Sequence, residues 1–479
     1  MNASAEGSLY ELVARGNKDV FFYGDQVGSS YIFDNTYDAQ TPFLEEVRRV
    51  PPKTATEFGR TVDFDLDVVG DLMKHPALLI NLPTWLPESY AKSVKQSKIV
   101  DNIGLSFGYI QGIAYFLFEN ISFYQDNILL QEFTGDTLWA MGKNSGTYGQ
   151  SFVTTSQTGG HGGTALEIGW NAAPNQLRLE LPLIGSDEGF PQRAALSHTY
   201  RIRCKLRKLE DLVESSDPTT SAKANPWNKQ MTIKLSATDP GTSFNTIKRE
   251  NMAPLILQLE TTQVYLEKRI QEAMQGNPVS VRFNRLYTNH FTQNQLDYTG
   301  VISGGSSTVN RRLDARHPTE RMLWFFRSID DVNANRLYKI NNIDKNSNSY
   351  YNSITFLIAG QTREAPRAAT VWKDVINFAK EGRDSGVELS SMNWSVGAIV
   401  PNRFTEGLVG SVGSIGSIGK IGKIGGGSVN FTTADKPTLY IDLAKPGSPM
   451  PNTELFVIVE GLCEFKTDGK GRAELLSIN

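Results

Sequence analysis

The sequence predicts an all-β chain built as two consecutive domains. Three observations carry this. Short runs alternate apolar and polar residues, as where Val62, Phe64, Leu66 and Val68 are set against Asp63, Asp65 and Asp67. A period of two is the mark of a half-buried strand. Between such runs lie stretches rich in Gly, Ser, Thr and Asn, such as 142–176, which read as loops. Finally, 479 residues are too many for one ordinary core, and two all-β domains of about 200–250 residues are expected.

The elements follow in order. Ser8-Leu9-Tyr10-Glu11 fits a capping box, with Leu9, Leu12 and Val13 on one helical face and Gly16 as the stop. Asp19 to Tyr23 turns β-like. The Asp63–Asp67 strand leads into Val69-Gly70-Asp71-Leu72 and then Leu78-Leu79-Ile80-Asn81-Leu82-Pro83. Tyr115 to Tyr124 is aromatic and β-branched and reads as a strand. Gln125, Asp126 and Asn127 make a polar turn, because Asp and Asn tolerate left-handed backbone. Ile128 to Phe133 returns as a strand, and Thr134 caps a helix over Leu138, Trp139 and Met141. Leu177 to Leu181 alternates. In the next strand Tyr200, Ile202, Cys204 and Leu206 alternate with Arg201, Arg203, Lys205 and Arg207. Its basic face is either an anion-facing wall or a solvated, charge-paired face. Residues 212–229 read as an exposed polar insertion, Pro254 to Leu266 as a strand and Glu267 to Met274 as a short helix. The domain boundary is placed near Gln275-Gly276-Asn277-Pro278.

The second half repeats the style. Arg316-His317-Pro318 turns into a strand carrying Leu323 and Trp324; Ile354 to Ala359 is a buried strand; Asn393-Trp394-Ser395-Val396 opens another that ends near Pro401. Gly407 to Ser428 carries five Gly-led triplets. It lacks proline and is too short for collagen, so a loop is expected whose Val and Ile touch a neighbour. Strands at Leu439 to Leu443 and Leu455 to Cys463 close the chain.

Composition narrows the function. A formal net charge of −3 with no basic block argues against a protein that packages nucleic acid by neutralising phosphates. Two cysteines, Cys204 and Cys463, cannot build a disulfide framework, so a reducing compartment is the default. No signal peptide is expected from Met-Asn-Ala-Ser-Ala-Glu, Asn2 excludes N-myristoylation, and no apolar run approaches a membrane span. The Asp63–Asp67 run fails the EF-hand template at Val68 and Lys74. His161 sits in a glycine-rich loop, and His75, His198, His290 and His317 are scattered, with no His-x-His pair for a cupin metal site. Asp187, Glu188 and Glu119 are the carboxylates a hydrolase reading would offer, and nothing in the sequence marks them out. No catalytic, cofactor-binding or metal residue is assigned. The sequons at Asn2, Asn120, Asn393 and Asn430 are read as chance matches.

Taken in order, these elements resemble the major capsid proteins of nucleocytoplasmic large DNA viruses, the iridovirus, phycodnavirus, marseillevirus and asfarvirus type. The N-terminal run from Gly7 to Gly24 is similar to that family's arm. The resemblance continues through Gly70-Asp71-Leu72 with its Leu82-Pro83 ending, the Tyr115–Met141 stretch, the basic strand after Pro182-Leu183, and Val264-Tyr265-Leu266-Glu267. It resumes at His317-Pro318 and at Gly427-Ser428-Val429-Asn430-Phe431-Thr432. Ala359 stands where the family has Asn, and the Gly407–Ser428 repeat is a departure. The resemblance implies two consecutive eight-stranded antiparallel jelly rolls: an arm over 1–18, a first jelly roll over 19–274 and a second over 275–479. It implies no enzyme and no cofactor. The expected assembly is a homotrimeric, pseudo-hexameric capsomer in an icosahedral shell. Expected partners are neighbouring capsomers and minor capsid and penton proteins, with contact to an inner membrane only through minor proteins. The expected location is the virion, with assembly in a cytoplasmic viral factory. The alternatives are a scaffold-lattice protein or minor capsid paralogue of the same fold, or a jelly-roll hydrolase.

Overall fold

Alternating side chains place one face of strands such as Thr61–Leu66 and Tyr200–Leu206 on a core, and the strands pair into sheets of repeated order. The structure, a computed structural model, describes residues 43–83, 98–101, 107–145, 176–185, 189–215, 222–224, 231–234, 242–244, 254–292, 296, 307–340, 351–358, 360–362, 364–377, 389–394, 428–432, 437–443 and 453–477. The first half contains β1 (Phe43–Val50), β2 (Thr61–Leu66), β3 (Leu72–Asn81), β4 (Lys98–Asp101), β5 (Phe107–Tyr109), β6 (Phe118–Gln125) and β7 (Ile128–Phe133). It continues with β8 (Leu177–Glu180), β9 (Tyr200–Leu206), β10 (Val213–Ser215), β11 (Met231–Lys234), β12 (Thr242–Phe244) and β13 (Ile256–Leu266). The second half contains β14 (Ser280–Phe291), β15 (Ser307–Arg312), β16 (Pro318–Ser328), β17 (Tyr351–Ile358) and β18 (Gln361–Thr362). It ends with β19 (Ser390–Asn393), β20 (Val429–Asn430), β21 (Thr438–Leu443), β22 (Thr453–Thr467) and β23 (Ala473–Ser477). Four α-helices matter below: α1 (Ile113–Phe116), α2 (Gly135–Ser145), α3 (Lys268–Gly276) and α4 (Ile329–Asn333).

The sheet orders are β1-β13-β3-β8 and β2-β9-β6-β7 in the first half, and β14-β22-β16-β19 and β15-β21-β17-β18 in the second. Number the eight strands of each pair of sheets in chain order. Both halves then read 1-8-3-6 in one sheet and 2-7-4-5 in the other. That is the jelly-roll order, present twice, and the strand pairings among the described residues are antiparallel. Small sheets β12-β11-β4 and β10-β5 sit among the first half's connections.

The near-continuous apolar run of β16 has a simple cause. Leu323 and Phe325 point into one core and Met322, Trp324 and Phe326 into another. On β22, Phe456 and Ile458 go to the first core, while Leu455, Val457 and Val459 go to the second. A strand buried on both faces has no polar side to alternate with. The first of these cores also holds Phe64, Phe123, Ile202 and Phe190 of the first half. The sheet of β16 and β22 therefore forms a wall shared by the second jelly roll and the joint.

Several expectations need correction. Tyr115 and Phe116 are not strand but the end of α1, entered from Gly112 at φ 70°. All four residues of α1 are buried, and Phe116 packs on Trp139 with ring centroids 5.9 Å apart, so tertiary packing overrides β propensity here. The strand at Val62 stops at Leu66 and leaves Val68 out. Residues 142–145, expected in a loop, belong to α2, which runs to Ser145. Within the expected exposed insertion, Leu212 and Val213–Ser215 are buried, the latter paired with β5. Asn393 closes a strand, Ser390–Asn393, that begins before the expected start. The last long strand runs Thr453–Thr467 and a further strand, β23, pairs with it. The Ser8–Gly16 helix, the Asp19–Tyr23 segment, 146–175, 395–401 and the Gly407–Gly427 repeat lie outside the described residues.

Candidate functional site

The joint between the two jelly rolls carries a buried ion network. Its centre is built by α2. Thr134 Oγ1 accepts the Thr137 amide at 3.1 Å and caps the helix. Gly135 follows because a Cβ there would meet the carbonyl oxygen of Phe118 at 2.6 Å and that of Tyr115 closer still. Asp136 then falls in the first helical turn, where the helix dipole favours a carboxylate.

Asp136 receives a guanidinium from each half. Arg207, just past β9, donates at 2.9 Å, and Arg327, near the end of β16, donates at 2.7 Å. Arg327 is only 2 % exposed. It also reaches Glu454 of β22 at 3.4 Å, and the other oxygen of Glu454 lies 2.8 Å from His290 Nε2 on β14. The His290 ring stacks on Phe456 at 4.3 Å, Phe325 stacks on Phe456 at 5.0 Å, and the Arg327 guanidinium sits 5.0 Å from the Phe456 centroid. Burial alone would raise the Asp136 pKa. Arg327 and Arg207 outweigh it and hold the carboxyl below its usual range.

Further contacts cross the joint. Thr137 and Thr288 hydroxyls are 2.9 Å apart. Asn335, at φ 61°, donates to the carbonyls of Glu210 and Val213 at 2.6 Å each. The Tyr338 hydroxyl donates to Glu214 at 3.1 Å, and burial with that carboxylate pushes the phenol's pKa up. Gln125 donates to the Ala473 carbonyl at 2.8 Å, and Phe190 packs on Phe465 at 5.3 Å. Charges that satisfy one another in this way lock two bodies together.

The residues singled out in the sequence lie elsewhere. β2 pairs with β9, so the aspartate face meets the basic face. Asp63 takes Arg203 in a two-pronged contact at 2.8 and 3.3 Å, while Asp65 takes Lys53 at 2.6 Å. Glu119 pairs with Lys205 at 2.8 Å, and Arg201 lies over the Tyr124 ring at 5.4 Å. The basic strand face is charge-paired. Asp187, Glu188 and His161 lie outside the described residues. No group of three His, Cys, Asp or Glu residues among the described residues is placed to hold a metal ion. The Gly70-Asp71-Leu72 element acts structurally: Asp71, 1 % exposed, accepts from the Leu266 amide and from Gln271 of α3, both at 2.7 Å. Asp136, Arg327 and Glu454 escape a reading of the sequence alone. Their one visible signal is an arginine closing the apolar run Met322–Phe326.

No family model matches the sequence, and no curated protein matches it. Solved structures do. VP54 of PBCV-1, fitted into a reconstruction of the virophage Sputnik, aligns with a TM-score of 0.66 over 94 % of this chain and 100 % of its own, at 12 % identity. The chain has the fold of a viral major capsid protein. This double jelly roll also aligns with the PBCV-1 capsid chain (TM-score 0.64, 13 % identity, 94 % of this chain and 100 % of that one). The Faustovirus major capsid protein follows, at TM-score 0.58, 11 % identity, 97 % of this chain and 94 % of that one.

Proposed function

We propose that this double jelly-roll chain is a major capsid protein, with an arm over 1–18, one jelly roll over 19–274 and the other over 275–479. The observation that carries the reading is the repeated 1-8-3-6 and 2-7-4-5 order in both halves. Two similar lobes per chain give six lobes when three chains close a ring. Six lobes approximate a hexagon, which tiles a surface with closed symmetry. The ion network at Asp136 supports this reading, since a tile needs its two lobes held at a fixed angle. The Faustovirus relative is itself a major capsid protein, and the PBCV-1 chain belongs to a virus capsid.

On this reading the chain performs no catalysis. It occupies the capsid of a large double-stranded DNA virus, assembles in the host cytoplasm and contacts neighbouring capsomers and minor capsid and penton proteins. Among the described residues no helix is long and apolar enough to cross a membrane. Negative-stain electron microscopy of the purified protein tests the proposal. Six-lobed hexagonal particles are expected; isolated two-lobed particles at every concentration would overturn it.

A further inference from the structure

β1 stands at the end of its sheet, beside β13. Among the described residues, β13 is its only strand partner. Seven of its eight residues are exposed, including Phe43 at 54 %, Leu44 at 66 % and Val47 at 60 %. Phe43 and Val47 share one face and Leu44 the other, so both faces present apolar side chains to solvent. An exposed apolar edge of this length is a template for strand addition.

The sequence of β1, Phe-Leu-Glu-Glu-Val-Arg-Arg-Val, says what fits it. Lay a second copy of β1 antiparallel to the first, with Val47 opposite Val47. Glu45 then faces Arg49, Glu46 faces Arg48 and Leu44 faces Val50, and the same pairs repeat by symmetry. Every charge meets its opposite. A slip of two residues in either direction puts Glu46 on Glu46 or Arg48 on Arg48, and like charges directly opposite are destabilising. Within one chain Glu46 already accepts from Tyr265 at 2.8 Å and Arg49 donates to Glu260 at 3.3 Å. Arg48 also lies 3.3 Å from Glu46 along the strand, and Lys74 of β3 lies 3.9 Å from Glu45; among the described residues no strand pairs with the outer edge.

We infer that β1 is a self-pairing edge, through which a second copy of this chain adds antiparallel across a two-fold axis at Val47. Such a contact is isologous. A ring of three subunits has no two-fold axis within it, so the paired strands belong to different trimers. The site thus joins one capsomer to the next, and in that placement it rests on the capsid reading.

Cross-linking tests it on the full chain. Val47→Cys places two thiols directly opposite, with Cα atoms about 4.5–5.5 Å apart, inside disulfide range. Leu44→Cys places them six residues out of step, about 20 Å apart. The native Cys204 and Cys463 are both buried and do not compete. Under mild oxidation Val47→Cys is expected to give a band at twice the chain mass, and Leu44→Cys is expected to stay single. A second measurement covers the charges. Glu45→Arg with Glu46→Arg, and separately Arg48→Glu with Arg49→Glu, should each abolish assembly beyond the trimer; mixing the two variants should restore it. Trimers that form by light scattering while Val47→Cys stays single, or while Leu44→Cys cross-links equally, overturn the self-pairing edge alone. Cross-linked pairs without trimers keep the edge and overturn the capsid reading.

Discussion

Asp136 and Arg327 meet at 2.7 Å across the joint of the two jelly rolls, although 191 residues separate them in the chain. Arg207 holds the other oxygen of the same carboxylate. Removing that carboxylate leaves two guanidinium groups without their shared anion, one of them almost fully buried. Asp136→Asn is expected to cost about 3–5 kcal/mol, the range for breaking a buried pair from one side. Urea unfolding of both proteins measures it.

The same carboxylate sets a pH dependence. Its folded pKa lies below the ordinary value. Its contribution is therefore full above the unfolded pKa of about 3.9 and is lost as pH falls through the folded value. The stability difference between wild type and Asp136→Asn should be constant near neutrality and shrink below about pH 4. Denaturant midpoints taken from neutrality down to acid check this.

α2 depends on its cap. Thr134→Ala removes the acceptor of the Thr137 amide, with an expected loss of about 1 kcal/mol. Thr134→Ser should recover most of it, and chemical denaturation of the pair separates the hydroxyl from the methyl.

Two glycines should respond in opposite ways. Gly135→Ala drives a Cβ into the Tyr115 and Phe118 carbonyls and is expected to cost at least about 1–3 kcal/mol, the range for overpacking. Gly276, at the end of α3, has nothing within 4 Å of a Cβ. Gly276→Ala should be neutral or raise stability by up to about 1 kcal/mol. Thermal melts of the two variants report the contrast.

Much of the fold is legible in the sequence. Strict alternation marks β2 and β9, Thr134 marks the start of α2, and the polar pair after Gln125 marks the β6–β7 turn, where Asp126 takes φ 52°. What is hidden depends on contacts distant in the chain. α1 forms inside an aromatic run because Trp139 and the core receive it. Val213–Ser215 is polar in part, and its burial comes from β5 and the joint. The aspartate and basic faces are each visible alone, yet only the β2–β9 register shows that they neutralise each other. Asp136 and Glu454 carry no local pattern, and Arg327 is marked only by closing the apolar run Met322–Phe326, because their partners come from other elements.

The surface pairs should matter little. Glu119 and Lys205 are each about half exposed, and such pairs contribute about 0–1 kcal/mol. Glu119→Gln is expected to change neither stability by more than that nor assembly. A hydrolytic activity lost on this one change would instead restore the enzyme reading.

The solution mass of the purified chain, by light scattering, tests the central claim most directly. A stable species at three times the 53.1 kDa chain mass is predicted. A clean monomer at micromolar concentration would contradict the capsomer.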